Sequence, residues 1–150
     1  MLRVEEGTLD DIPQLCDLLT ILFTQEAEFQ PDIAKQSAGL HQIIERPEVG
    51  RILVLRDGTA LVGMVNLLYT ISTACGGRVG ILEDMIIQPD RRGSGAGSTL
   101  LQEAIAFARA NGCSRITLLT DRTNDPAIRF YKHHGFALSE MVPLRIVFPQ

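Results

Sequence analysis

Between residues 91 and 98 the chain reads Arg-Arg-Gly-Ser-Gly-Ala-Gly-Ser, and no other stretch constrains the fold so narrowly. Gly93, Gly95 and Gly97 stand at alternate positions, so the backbone can turn tightly with its N–H groups unobstructed by a Cβ. An apolar strand-like run ends just before, at Ile87. A helical period begins just after, with Leu100, Leu101, Ala104, Ile105 and Ala108 on one face. A strand, a glycine turn and a helix in that order bring unpaired amides and the positive end of a helix dipole to one point. That point suits an anion, and a diphosphate in particular. Arg91 and Arg92 stand at its approach. A hydrogen bond to a charged group contributes roughly 1.5–3 kcal/mol, so several hold a phosphorylated ligand firmly.

The rest of the chain builds a frame around this turn. Residues 2–6 read as a short strand. Asp10 is a fitting N-cap for a helix with Pro13 in its first turn and an apolar stripe of Ile12, Leu15, Leu18, Leu19, Leu22 and Phe23. Residues 25–32 are a loop, and residues 33–44 form a weaker helix ended by Arg46-Pro47. Asp57-Gly58 is a hairpin turn between strands at 51–55 and 60–71. After a loop at 72–77 comes the strand 79–87. Asn111-Gly112 stops the helix that follows the glycine turn. Residues 115–120 are a strand and 124–134 a helix with Gly135 at its C′ position. Residues 136–138 and 144–148 are closing strands. The predicted fold class is α/β with a mixed sheet of about seven mostly antiparallel strands and four helices. The strands at 79–87 and 115–120 are parallel neighbours joined by a right-handed crossover.

Composition narrows the function. A chain of 150 residues supplies one domain, with 45% hydrophobic and 21% charged residues. The formal net charge of −4 and the absence of tryptophan argue against nucleic-acid binding. Cys16, Cys75 and Cys113 are odd in number and far apart, which reads as reduced thiols. The first residues carry no secretory h-region, and no apolar run is long enough to span a membrane, so the expected location is cytoplasmic. No His, Cys, Asp or Glu set has metal-ligand spacing, so no metal is expected. His133 and His134, at a helix end, are expected to be exposed.

The glycine turn has rivals to exclude. A phosphate-hydrolysing loop ends in Gly-Lys-Ser/Thr, whereas Gly97-Ser98-Thr99 lacks the lysine. A dinucleotide fingerprint needs G-x-G-x-x-G directly after a strand. This chain has G-x-G-x-G, set off from its strand by Gln88 to Arg92, and hairpins before it.

The segment Arg92-Gly93-Ser94-Gly95-Ala96-Gly97 resembles the R/Q-x-x-G-x-G/A signature of the GNAT superfamily of N-acetyltransferases. Ile81-Leu82-Glu83-Asp84-Met85-Ile86-Ile87-Gln88-Pro89-Asp90 resembles that family's fourth strand and the loop leading to the signature. Asn124-x-x-Ala127-x-x-Phe130-Tyr131-x-x-x-Gly135-Phe136 resembles its last helix and the turn beyond. The resemblance implies acetyl-CoA bound where two parallel strands splay apart. The pantetheine arm would lie along Met85, Ile86 and Ile87. The pyrophosphate would lie on Arg92, Gly93, Ser94, Gly95, Ala96 and Gly97, with Arg91 and Ser98 close by and Asn124 a secondary contact.

The resemblance also implies direct transfer to an amine in a ternary complex. Backbone N–H groups near Met85 and Ile86 face the developing oxyanion. Tyr131 matches the acid position, protonating the departing thiolate. A lysine-like amine has a pKa of about 10.4, so it must lose a proton before attack; a carboxylate in a dry cleft can take it, directly or through water, and Glu83 and Asp84 are the candidates. On a regular strand the two face opposite sides unless a bulge intervenes; Glu83 is the preferred one. The acceptor is a small-molecule or protein amine. The acidic residues Glu26, Glu28, Glu83 and Asp84 favour a cationic one. Dimerisation is common in the family, and the C-terminal strand offers an edge for a homodimer. The alternatives are an acyl-CoA-binding module without turnover and a dinucleotide-dependent oxidoreductase.

Overall fold

Alternation along one strand sets the architecture. Leu53 and Leu55 belong to one apolar cluster, Ile52 and Val54 to another, so this strand is buried on both faces. The computed structural model describes residues 1–150. Its elements are β1 (Leu2–Glu6), α1 (Ile12–Gln25), α2 (Ile33–Ile44), β2 (Gly50–Asp57), β3 (Ala60–Ser72), β4 (Gly77–Ile87), α3 (Ala96–Ala110), β5 (Ile116–Leu118) and α4 (Asp125–His133). The strands form one sheet in the order β1-β2-β3-β4-β5, antiparallel except for the parallel pair β4–β5. One parallel pair beside three antiparallel ones is not a doubly wound dinucleotide fold.

Helices cover both faces. α3 puts Leu100, Leu101, Ala104 and Ala108 against Leu53, Leu55, Val65 and Leu67. On the opposite face α1 and α2 put Leu15, Leu18, Leu19 and Leu40 against Ile52, Val54, Met64 and Ile86. These helices follow the apolar stripes read from the sequence.

Three expectations need correction. Asp10 does not cap α1. Thr8 and Asp11 form a capping box on a 3₁₀ turn, and buried Asp11 holds Arg56 Nη2 at 2.6 Å, so the carboxylate serves the fold as an ion-pair partner. The strand expected at 115–120 pairs only at Ile116–Leu118. The closing strands at 136–138 and 144–148 do not form, so the sheet has five strands rather than about seven. Residues 137–150 make no backbone–backbone hydrogen bond, and a strand exists only by pairing.

Candidate active site

The parallel pairing of β4 with β5 runs through three residue pairs and stops at Leu82–Leu118. On its other side β4 stays paired with β3 as far as Ile87. From Glu83 to Ile87 the β5-facing edge of β4 has no strand partner, at the opening that the two diverging strands leave, and only the Ile87 carbonyl is met there, by Arg92. Met85 is half-buried there; Ile86 and Ile87 are buried beside it.

A bulge interrupts β4 inside this opening. Asn66 pairs with Glu83 and Met64 with Ile86, so two residues, Asp84 and Met85, oppose the single residue between Asn66 and Met64. Asp84 has φ 55, a left-handed conformation that aspartate tolerates better than most residues. The bulge breaks the alternation expected of Glu83 and Asp84. Glu83 is exposed, whereas Asp84 turns inward and accepts a hydrogen bond from Asn66 Nδ2 at 2.7 Å. Burial, then the nearby Glu83 charge, pushes the Asp84 carboxyl up to about 6, against the lowering effect of Asn66.

The glycine turn follows. Gly93 and Gly95 have φ 80 and φ 86, which an L side chain adopts only with strain. Gly95 is the N-cap of α3. The amides of Gly93, Ser94, Gly95, Ala96, Gly97 and Ser98 donate to no acceptor in the protein, whereas Thr99 N–H donates to Gly95 O. Six consecutive free donors at a helix start have the geometry of an anion cradle. The arginines before it are engaged elsewhere. Arg91 Nη1 donates to Asp57 Oδ2 at 2.6 Å, and Arg92 Nε donates to Ile87 O at 3.1 Å. They brace the turn against the hairpin tip and the end of β4. Ser94 Oγ donates to Arg91 O at 2.6 Å, and Ser98 Oγ lies 3.0 Å from His134 Nε2.

α4 brings Tyr131 to the same opening. Asn124 caps this helix, its side chain accepting from Ala127 N–H at 3.2 Å. Tyr131 packs edge-on against Phe130 and Phe136, at 5.3 and 5.8 Å between ring centroids, and its hydroxyl hydrogen-bonds to nothing in the protein. Burial, then the Glu26 charge, pushes the phenol up to about 12. His134 is half-buried rather than exposed, because it packs edge-on against Phe130 and meets Ser98.

Glu26, at the C-cap of α1, faces the same space. Burial, followed by the charges of Asp84, Asp121, Glu83 and Glu28, pushes its carboxyl up to about 7. The backbone N–H of Ala27 reaches Asp121 Oδ2 at 3.4 Å, tying the loop after α1 to the chain beyond β5. Asn66 is the site residue the sequence reading missed. Its signal was a lone amide in an otherwise apolar strand, and at 3% exposure it is among the few buried polar residues. Its Oδ1 has no partner. No three His, Cys, Asp or Glu side chains are grouped so as to hold a metal ion, and no helix is long and apolar enough to cross a membrane.

Known proteins are similar to this chain in sequence and fold. The family model described as the acetyltransferase (GNAT) family matches residues 12–136. An uncharacterized N-acetyltransferase of Bacillus subtilis (strain 168), YhfO, is 32% identical over 118 residues, which span 77% of this chain and 78% of that protein. The aminoalkylphosphonate N-acetyltransferase of Salmonella typhimurium is 28% identical over 137 residues, spanning 91% of this chain and 86% of its own. Among solved structures, an integron cassette protein from the mobile metagenome of Cole Harbour Salt Marsh superposes with a TM-score of 0.85 at 25% identity, covering 98% of this chain and 91% of that one.

Proposed function

Because the chain belongs to the acetyltransferase (GNAT) family, we propose that it transfers an acetyl group from acetyl-CoA to a cationic amine. The observation that carries this reading is the run of six unpartnered amides beside the stretch of β4 that has no β5 partner. The residues fit the coenzyme. The amides of Gly93 to Ser98 suit a pyrophosphate, and the β4 edge at Met85 to Ile87 offers main-chain partners to an amide-bearing arm.

Bound acetyl-CoA supplies an acyl group already activated as a thioester. The chain's own residues then manage two protons. Asp84 is mostly ionised at neutral pH and accepts a proton from the acceptor's ammonium. Asn66 Nδ2 occupies Oδ2, which leaves Oδ1 as the accepting oxygen. Tyr131, pushed up to about 12, keeps its proton at neutral pH and presents it from Oη toward the leaving sulfur. Asp84 rather than Glu83 fits the base role because only Asp84 turns into the opening. N–H groups at the bulge are the candidates for stabilising the developing oxyanion.

The charge around the opening supports a cationic acceptor. Glu26, Glu28, Glu83, Asp84 and Asp121 lie close enough for the other four to raise Glu26, and mutually repelling carboxylates are relieved by a positive ligand. The Salmonella relative's name specifies an aminoalkylphosphonate, whose phosphonate would meet these carboxylates unfavourably. The test is thiol release from acetyl-CoA with a panel of diamines, lysine-like amines, neutral amines and aminoalkylphosphonates. Dicationic amines are expected to give the highest kcat/KM. A preference for the phosphonates overturns the charge reading, and tight coenzyme binding without release by any amine points to a non-catalytic module.

A further inference from the structure

α4 carries Tyr131, yet it is fastened lightly. It contains no buried residue. One hydrogen bond joins residues 125–136 to residues 1–118, and it is the 3.0 Å contact between His134 Nε2 and Ser98 Oγ. Beside it the Phe130 ring lies over Gly97, where a Cβ would sit 3.5 Å from Phe130 Cζ. Phe130 and His134 are four residues apart, so they share one face of α4, and their rings pack edge-on at 4.9 Å between centroids. That face rests on Gly97 and Ser98, the last two residues of the run of free amides. Tyr131 follows Phe130 in the chain and packs edge-on against it at 5.3 Å. Whatever places Phe130 and His134 therefore places the phenol.

We propose that His134 is a positioning residue for Tyr131: its bond to Ser98 fixes α4, and the phenol with it, against the glycine turn. The inference rests on the acetyl-transfer reading above, in which Tyr131 is the proton donor and this turn takes the pyrophosphate. Apolar contact alone does not fix an orientation, because it is non-directional, and the Phe130 ring can slide on a glycine. A hydrogen bond weakens steeply off its axis, so the His134 link sets how α4 is turned. The pair also has two arrangements. Nε2 can accept from the Ser98 hydroxyl, or it can carry the proton and donate to Ser98 Oγ. In the second arrangement the hydroxyl hydrogen is free to point at an anion on the turn. A pyrophosphate there then strengthens the clasp on α4, and by reciprocity the clasp strengthens the hold on the pyrophosphate.

Two variants test it. His134→Leu keeps an apolar contact with Phe130 and removes the bond; His134→Gln keeps an N–H within reach of Ser98. Amide hydrogen exchange of residues 127–134 is expected to quicken by about three- to tenfold in the leucine variant, the worth of one ordinary hydrogen bond, and to return near wild type in the glutamine variant. Exchange that the leucine leaves unchanged, or that the glutamine fails to restore, overturns the proposal whatever the kinetics. In steady-state assays with acetyl-CoA, His134→Leu is expected to lower kcat by a similar factor with the amine's KM unchanged, and His134→Gln to recover it. Placed on Tyr131→Phe, His134→Leu is expected to cost nothing further, since a residue that acts through the phenol has nothing left to position. An equal loss in both backgrounds, a loss confined to KM, or a wild-type kcat in His134→Leu overturns the proposal while the acid role stands. Wild-type turnover in Tyr131→Phe is the other failure, that of the acid role itself, and the positioning role falls with it.

Discussion

The molecule divides unevenly at the end of α3. Every buried residue lies at or before Ala108; none lies after it. The first part is a four-stranded antiparallel sheet with helices on both faces, whose strands pair over five to nine residues. The second part holds to the sheet by three residue pairs of β5, and its aromatic residues Phe130, Tyr131 and Phe136 rest on the outside of the core as half-buried groups. The candidate site straddles this boundary. The anion cradle and Asp84 belong to the tightly packed part, while Tyr131 belongs to the loosely held part. The glycine turn and Asp84 therefore sit on the better-packed scaffold, and the phenol's position depends on elements that open at lower cost.

Three substitutions sharpen or break that division. Tyr131→Phe removes the proposed proton donor without touching the core. It is expected to lower kcat by 10²–10⁴-fold while leaving coenzyme affinity and melting temperature near wild type. Wild-type turnover in a steady-state assay removes the phenol from the reaction. Gly95→Glu puts a side chain and a negative charge at a φ of 86 beside the free amides. Calorimetry is expected to show coenzyme affinity weakened by about 100-fold, with the fold retained, because a Cβ there meets nothing within 4 Å and the positive φ strains only this surface turn. Unchanged affinity means the cradle is not the anion site.

Asp84→Asn has the smallest and most pH-dependent effect. Asp84 in the fold titrates at about 6, above its ordinary 3.8, so the folded state binds this proton more tightly than the unfolded one. Its contribution to stability is complete below pH 4 and is lost as the pH rises through 6. The asparagine variant is thus expected to exceed wild type by about 1–3 kcal/mol at pH 8 and to match it at pH 4, as read by thermal melts. Its activity is expected to fall and to lose the acid limb near pH 6. Equal stability at both pH values places Asp84 in solvent.

What could be read from residues alone follows the range of the interactions concerned. The stripe of α1 and the period of α3 are local patterns, and both helices stand where those patterns put them. The glycine turn was legible for the same reason, since positive φ is a property of single residues. Pairing is not local. Residues 144–148 have strand composition, yet no strand of their own chain receives them. Alternation along β4 could not settle Glu83 against Asp84, because the bulge belongs to the register with β3. Arg91 and Arg92 read as free positive charge until the fold brought Asp57 and the Ile87 carbonyl to them.

The left-handed backbone at Asp84 narrows what evolution can try there. Glycine, asparagine and aspartate are the residues that occupy such a conformation at small cost, and of these only aspartate ionises. A descendant that no longer needed chemistry could relax to glycine or asparagine at this single codon without disturbing its shape. If Asp84 is the base proposed above, the letter at position 84 in related sequences becomes an economical marker for sorting working copies from retired ones.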